Sequence, residues 1–188
     1  MQNIKVILAS KSPRRKELLK NLFDDFEIIT ADVEERCEDD YLVEKRPELF
    51  AVMKGKPVSD SNKEALVISA DTMVLVDEIA LGKPKSRDEA YAMLSMLSGR
   101  AHKVITGVYL AYMGKSLSFS SETMVEFYKL DKEDIEEYIN TGECYDKAAG
   151  YGIQGKAAPF VKKIYGDYFN VVGLPIGEIK NILKFFIK

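Results

Sequence analysis

Histidine is almost missing from this sequence: His102 is the only one in 188 residues. Cysteine is nearly as scarce, with Cys37 and Cys144 far apart and no CxxC pair. A zinc site of the usual Cys/His kind therefore finds too few ligands, and any metal would be a hard cation held by carboxylates. No histidine or cysteine nucleophile pair stands out among the candidate groups. Two isolated cysteines point to reduced thiols and a cytoplasmic setting, while spacing alone leaves a pairing in space open. Long apolar runs are absent as well. The stretch 4–9 is six residues long, too short for a signal peptide or a membrane span, so the chain reads as soluble and intracellular, with no membrane partner. A basic surplus is also lacking: 27 Lys and Arg against 30 Asp and Glu leave a net charge of -3. That argues against a nucleic-acid polymer as partner, whereas one small anion needs only a local cluster.

What is present fits an ordinary globular protein, 46% hydrophobic and 30% charged. Its 188 residues suffice for one domain, 1–188, or one domain with a small lobe, and for a core without staples. The most informative stretch runs from Val6 to Leu19. An apolar strand stops at Ser10 and Ser12, and a helix begins. Ser12 suits the N-cap and Pro13 the first helical position, while Leu18, Leu19 and Leu22 give the helix an apolar side. Arg14 and Arg15 then stand at the positive end of the helix dipole, where cations are disfavoured. A bound phosphate would resolve the conflict, through two hydroxyls, open amides and two guanidiniums. The alternative is that both arginines are solvated and the small dipole cost is tolerated.

Further along, 26–30 reads as a second strand and 32–40 as an acidic, solvated connection. A helix is expected over 41–56, weakened by Pro47 and ended by Pro57. Strands follow at 66–70 and 73–76, around Asp71-Thr72, with Asp77-Glu78 as a hairpin tip. Ser86 and Glu89 match a capping box before a helix that stops at Gly99. Strands are expected at 104–112 and 117–127 around a Met113-Gly114-Lys115 turn, then a helix capped by Asp131. A glycine-punctuated segment, 146–155, leads to an expected hairpin over 160–172 about Gly166-Asp167. Pro175 starts the last helix. Strands and helices without strict alternation predict an α/β fold with a mixed sheet and flanking helices.

Asp71 is the sharpest carboxylate, since the sequence reads it as closing an apolar strand, and ligands gather beyond the carboxyl ends of strands in open α/β sheets. There it can hold a hard metal or draw a proton from water; it can equally cap a turn through its own backbone. Lys83, fixed between Gly82 and Pro84, suits point-charge contact with phosphate, although turn lysines are commonly solvated. Lys54 near a helix end is a weaker signal, and His102 after a turn reads as a local hydrogen-bonding residue rather than a catalyst. Gln154, between Gly152 and Gly155, can read a base edge with one donor and one acceptor. Together these groups fit metal-assisted attack of water on a polyphosphate.

At this point the sequence resembles the Maf-like nucleoside triphosphate pyrophosphatases. The matches are Leu8-Ala9-Ser10-Lys11-Ser12-Pro13-Arg14-Arg15, Ser69-Ala70-Asp71-Thr72-Met73-Val74 and Leu81-Gly82-Lys83-Pro84. They continue through 97–108, Asp146-Lys147-Ala148, Tyr151-Gly152-Ile153-Gln154-Gly155 and Asn170-Val171-Val172-Gly173-Leu174-Pro175, in family order over nearly the whole chain. The resemblance implies an elongated, twisted mixed sheet with flanking helices, in two lobes with a cleft, as in inosine triphosphatase-like folds. It implies hydrolysis of a nucleoside triphosphate to monophosphate and pyrophosphate with Mg²⁺ or Mn²⁺. It puts the catalytic carboxylate on Asp71 and a metal-binding pair on Glu35 and Asp71. Substrate-binding positions fall on Ser10, Arg14, Arg15, Lys54, Thr72, Lys83 and Gln154. Arg14, Thr72 and Gln154 match the dTTP/UTP branch rather than the 7-methyl-GTP branch. The competing expectations are a 7-methyl-GTP or inosine-type specificity on the same scaffold, or a nucleotide-binding regulator without hydrolysis. Members of the family are often homodimers.

Overall fold

Short apolar runs separated by capped helices build one open mixed sheet of seven strands in the computed structural model, which describes residues 4–38 and 40–187. Along the sheet the order is β2-β1-β3-β5-β6-β7, with β4 paired to β3. β1 (Val6–Leu8), β2 (Glu27–Ile28) and β3 (Leu66–Val76) are parallel, and Leu8 lies level with both Ile28 and Ile68. Parallel neighbours need crossovers, and α1 (Pro13–Leu19) and α2 (Arg46–Ser61) supply them. β3 folds back into β4 (Ile79–Leu81) through Asp77 and Glu78, both left-handed, at φ 47° and 66°. Two such residues match the twist of a tight hairpin. Met113 and Gly114, at φ 50° and 77°, join β5 (Ala101–Tyr112) to β6 (Lys115–Phe127) in the same way. β7 (Val161–Tyr165) pairs antiparallel with the end of β6. The remaining helices are α3 (Arg87–Leu97), α4 (Lys132–Asn140), α5 (Tyr168–Val172) and α6 (Ile176–Phe186).

The chain divides into two compact units. One holds the residues through Asp71, then Thr106–Ser121, then those from Gly173 on; the other holds Thr72–Ile105 and Glu122–Val172. In the first unit Ile7, Ala9, Ala51, Val58, Ala65, Val67, Tyr109 and Ala111 form a buried cluster under α2. A side chain on Gly55 would overlap Ser69 and Tyr109, so the helix lies directly on the sheet, and the Ser69 hydroxyl donates to the Ala51 carbonyl at 2.6 Å. In the second unit the rings of His102, Phe127 and Tyr151 meet edge to face at 4.8–5.3 Å, and Tyr138 meets Phe160 likewise.

Several sequence expectations are corrected. α2 neither breaks at Pro47 nor ends at Pro57: it begins at Arg46 and runs to Ser61. Pro47 falls in the first turn, where its missing donor costs nothing. Pro57 is exposed and forfeits one bond, while Ala51, Gly55 and Val58 keep the helix on the core. α1 stops at Leu19, so Leu22 lies beyond the apolar side it was expected to extend. Only half of the Ser86 capping box forms: Ser86 accepts from the Glu89 amide, but Glu89 accepts from the Lys85 amide. The expected second arm of the 160–172 hairpin is helix α5. Asp167 accepts from the Phe169 amide at 2.8 Å, and Asn170 donates to the Val104 carbonyl and the Thr123 hydroxyl. These side-chain bonds outweigh the β-propensity of Tyr168, Phe169, Val171 and Val172.

Candidate active site

Three parallel strands and the segments that follow the first two of them bring side chains to one place in the first unit. Ser10 comes two residues after β1, Glu35 lies in the connection after β2, and Asp71 lies on β3. With Leu8 level with Ile68, the register carried forward sets Ser10 beside Ala70, next to Asp71. Asp71 does not close its strand, as the sequence suggested. It sits within β3, where five buried residues give way to three half-buried ones, Asp71, Thr72 and Met73. A carboxylate at that change of environment stays hydrated on one side while its backbone remains in the ladder.

α2 brings the countercharge. Lys54 is not near a helix end but mid-helix, one residue before the close-packed Gly55. Its ammonium is 2.6 Å from Asp71 Oδ1 and 2.8 Å from Glu35 Oε1. Glu35, still 42% exposed, thus pairs from within the solvated acidic connection, of which Asp39 lies outside the described residues. The side chains of Lys54 and Asp71 are 21% and 15% exposed, so the bridge is only partly screened by water.

Arg15 forms the second layer. Its Nε donates to the Gly173 carbonyl at 2.9 Å and its Nη1 to the Ser10 hydroxyl at 3.2 Å. Ser10 also accepts from the Ser12 amide, and Ser12 caps α1 through the Arg15 amide. Burial lowers the Arg15 pKa, Asp71 and Glu35 oppose that effect, and Arg14 adds to it. The guanidinium stays charged, because its ordinary value lies far above neutrality. Arg14 occupies the second position of α1, half-buried.

In the second unit, Thr72 is the next residue on β3 and points to the opposite face from Asp71. Lys83 is exposed on its turn after β4, and Gln154 is exposed on the glycine loop. Two segments that looked separate in sequence meet here. The Ala149 amide donates to the Gly82 carbonyl at 2.8 Å, with Ala149 left-handed at φ 55°. Gly150, also at positive φ, packs against Pro84. The lysine turn is thus anchored on the segment that leads into the Gln154 loop. His102 is the hydrogen-bonding residue expected, but its partner is distant: Nε2 lies 2.7 Å from the Tyr151 hydroxyl. Sequence reasoning passed over Glu143 and Lys147, which lie beneath the loop; their i,i+4 spacing before the glycines was the available signal.

Among the described residues no group of three or more His, Cys, Asp and Glu gathers as a metal site. The pair Glu35 and Asp71 nevertheless converges on one cationic atom, as two carboxylates around a shared ion do. Mg²⁺ and Mn²⁺ fit such a donor set, because Mg²⁺ takes one or two carboxylates and fills its shell with water and phosphate oxygens. No described helix is long and apolar enough to cross a membrane.

Lys54 from a helix, Arg15 from another and the carboxylates of Glu35 and Asp71 gather beside parallel strands and define an α/β protein suited to a polyanion and a hard cation together. The family model for Maf-like protein matches residues 5–186, and the chain belongs to that family. It is 50% identical over 188 residues to a protein of Thermoanaerobacter sp. (strain X514) named dTTP/UTP pyrophosphatase, covering 96% of each chain. A protein of the same name from Geobacillus sp. (strain WCH70) is 50% identical over 180 residues, covering 95% of this chain and 96% of that one. One from Bacillus velezensis is 46% identical over 182 residues, covering 97% and 96%. Among solved structures, "The structure of the Staphylococcus aureus Ham1 protein" aligns with a TM-score of 0.49 at 18% identity, covering 65% of this chain and 71% of that one.

Proposed function

We propose that this chain hydrolyses nucleoside triphosphates to the monophosphate and pyrophosphate, with dTTP and UTP as substrates. Family membership and the names of relatives sharing half its sequence support the reading. The observation that carries it is the Lys54 ammonium held between Glu35 and Asp71. In the free protein Lys54 offsets the repulsion of two carboxylates. A triphosphate would offer it richer charge, and Glu35 and Asp71 are the residues that would then hold Mg²⁺ or Mn²⁺. When bound, such an ion supplies charge withdrawal from the phosphate oxygens.

Asp71 accepts the proton of the attacking water. The new O–P bond forms at the α-phosphorus while the bond to the bridging oxygen breaks, and pyrophosphate leaves with that electron pair. Arg14, Arg15 and Lys83 neutralise the charge that grows on the leaving group, and Ser10 supplies a hydroxyl to the phosphates, whereas Thr72, on the opposite face from Asp71, takes no part in that contact. Gln154 meets a uracil or thymine edge with its own acceptor and donor. Cytosine reverses that pattern and leaves buried groups unpaired, so CTP is the poorer substrate. We place the reaction in the cytoplasm, a compartment that keeps thiols such as Cys37 and Cys144 reduced.

The test is pyrophosphate release from UTP, dTTP, CTP, GTP and 7-methyl-GTP with Mg²⁺. UTP and dTTP should agree within about tenfold, the reach of one methyl contact. Asp71→Asn should still bind triphosphate but turn over about 10²-fold or more slowly, the scale of a lost general base. Orthophosphate as first product, or full turnover in excess chelator, overturns the proposal.

A further inference from the structure

The Gln154 loop looks flexible in sequence, yet its glycines pack closely against side chains of the preceding turn. Gly152 and Gly155 flank the glutamine, and neither has a positive φ. They are glycines for space. A Cβ on Gly155 would overlap the carboxylate of Glu143, and one on Gly152 would overlap the stem of Lys147. Both side chains come from the short turn that follows α4, and both lie largely covered, at 22% and 13% exposure. Glu143 Oε2 accepts the Lys156 amide at 3.0 Å, immediately past the loop glycine. Glu143 Oε1 is buried, with the Lys147 ammonium at 3.9 Å and no hydrogen bond of its own. Lys147 in turn donates to the Glu143 carbonyl at 2.9 Å and to Asp146 at 2.7 Å. One carboxylate, fixed by its neighbour's ammonium, therefore grips the loop from below on the side opposite solvent.

We infer that Glu143 is a positioning residue for base selection: with Lys147 behind it, it fixes the height and tilt of the loop that presents Gln154 to the pyrimidine. The inference rests on Gln154 being the base reader proposed above. A glutamine discriminates uracil from cytosine only if its amide is held in one plane against the base. A loop free to shift lets the amide turn over and accept either edge. Loss of the grip should thus blur the choice of base while leaving the phosphate chemistry at Asp71 intact.

The experiment combines hydrogen exchange on the free protein with steady-state kinetics on UTP and CTP, for wild type, Glu143→Ala, Glu143→Gln, Gly155→Ala and the double variant Glu143→Ala/Gly155→Ala. In Glu143→Ala the Lys156 amide should exchange about tenfold or more faster, the scale of a lost bond to a charged acceptor. Its UTP-to-CTP ratio of kcat/KM should fall by about tenfold, through KM, with kcat for UTP within a few-fold of wild type. Glu143→Gln still accepts from the Lys156 amide and should recover most of both properties. Gly155→Ala should behave like Glu143→Ala, and the double variant should be no worse than either, since both changes break one contact. Unchanged exchange and an unchanged ratio in Glu143→Ala overturn the inference, as does equal loss in Glu143→Ala and Glu143→Gln. If exchange responds as described but wild type releases no pyrophosphate from UTP, the proposed function has failed instead.

Discussion

His102 is 1% exposed, and burial holds its pKa down to about 4 from an ordinary 6.5. Between those values the unfolded chain binds a proton that the folded chain refuses, so stability rises with pH across that window. The contribution is complete above pH 6.5 and lost as the pH falls towards 4, a swing of roughly 3 kcal/mol. Urea unfolding at pH 7 and pH 4.5 should show a steeper acid loss in wild type than in His102→Gln; equal losses would assign the acid sensitivity to other groups. The residue type and its hydrogen-bonding role were legible in the sequence, but its partner Tyr151 was not, because no local pattern joins positions 49 apart. Asp71 and Lys54 show the same division. Position singled out Asp71 and the family resemblance Lys54, yet their 2.6 Å contact depends on where α2 lies on the sheet.

That placement belongs to the element scale. α2 rests on β3 and β5 because Gly55 adds nothing between them. Gly55→Ala would push the helix off the sheet, and Lys54, one residue away, would move with it. We expect a loss of about 2 kcal/mol in thermal unfolding, as for other overpacked cores, together with a lower kcat. Gly177→Ala in α6 is the control, since a Cβ there meets nothing within 4 Å. An exposed helical glycine gains about 0.5–1 kcal/mol on becoming alanine, with turnover unchanged. If both substitutions behave alike, helix propensity and not close approach governs α2. Caps and tight turns were the most readable elements: Ser12, Ser86, Asp131 and Asp77-Glu78 all act where the sequence placed them. Prolines and β-branched runs misled, because burial and side-chain bonds to the backbone decided α2 and α5.

At the scale of the whole molecule, the α/β class and the mixed sheet followed from the mixture of apolar runs and capped helices. The division into units did not, because β3, β5 and β6 each pass from one unit to the other without a break in pattern. The first unit is completed by residues from Gly173 onward, including buried Leu174, Ile176, Ile179 and Leu183. Four such side chains are worth roughly 6–12 kcal/mol at about 1.5–3 each, comparable to the entire stability of a domain. A chain ending at Val172 should therefore lack protected amides in β1 and the first half of β3 by hydrogen exchange; native protection there would show that the first unit closes without α6. The bond from Arg15 to the Gly173 carbonyl spans 158 positions. During translation Arg15 emerges 158 residues before its carbonyl acceptor. The nascent chain on the ribosome accordingly carries its guanidinium and its Glu35–Lys54–Asp71 charges before the segment that fixes Arg15 exists, so a competent enzyme appears only after Gly173 and the helix behind it have been made.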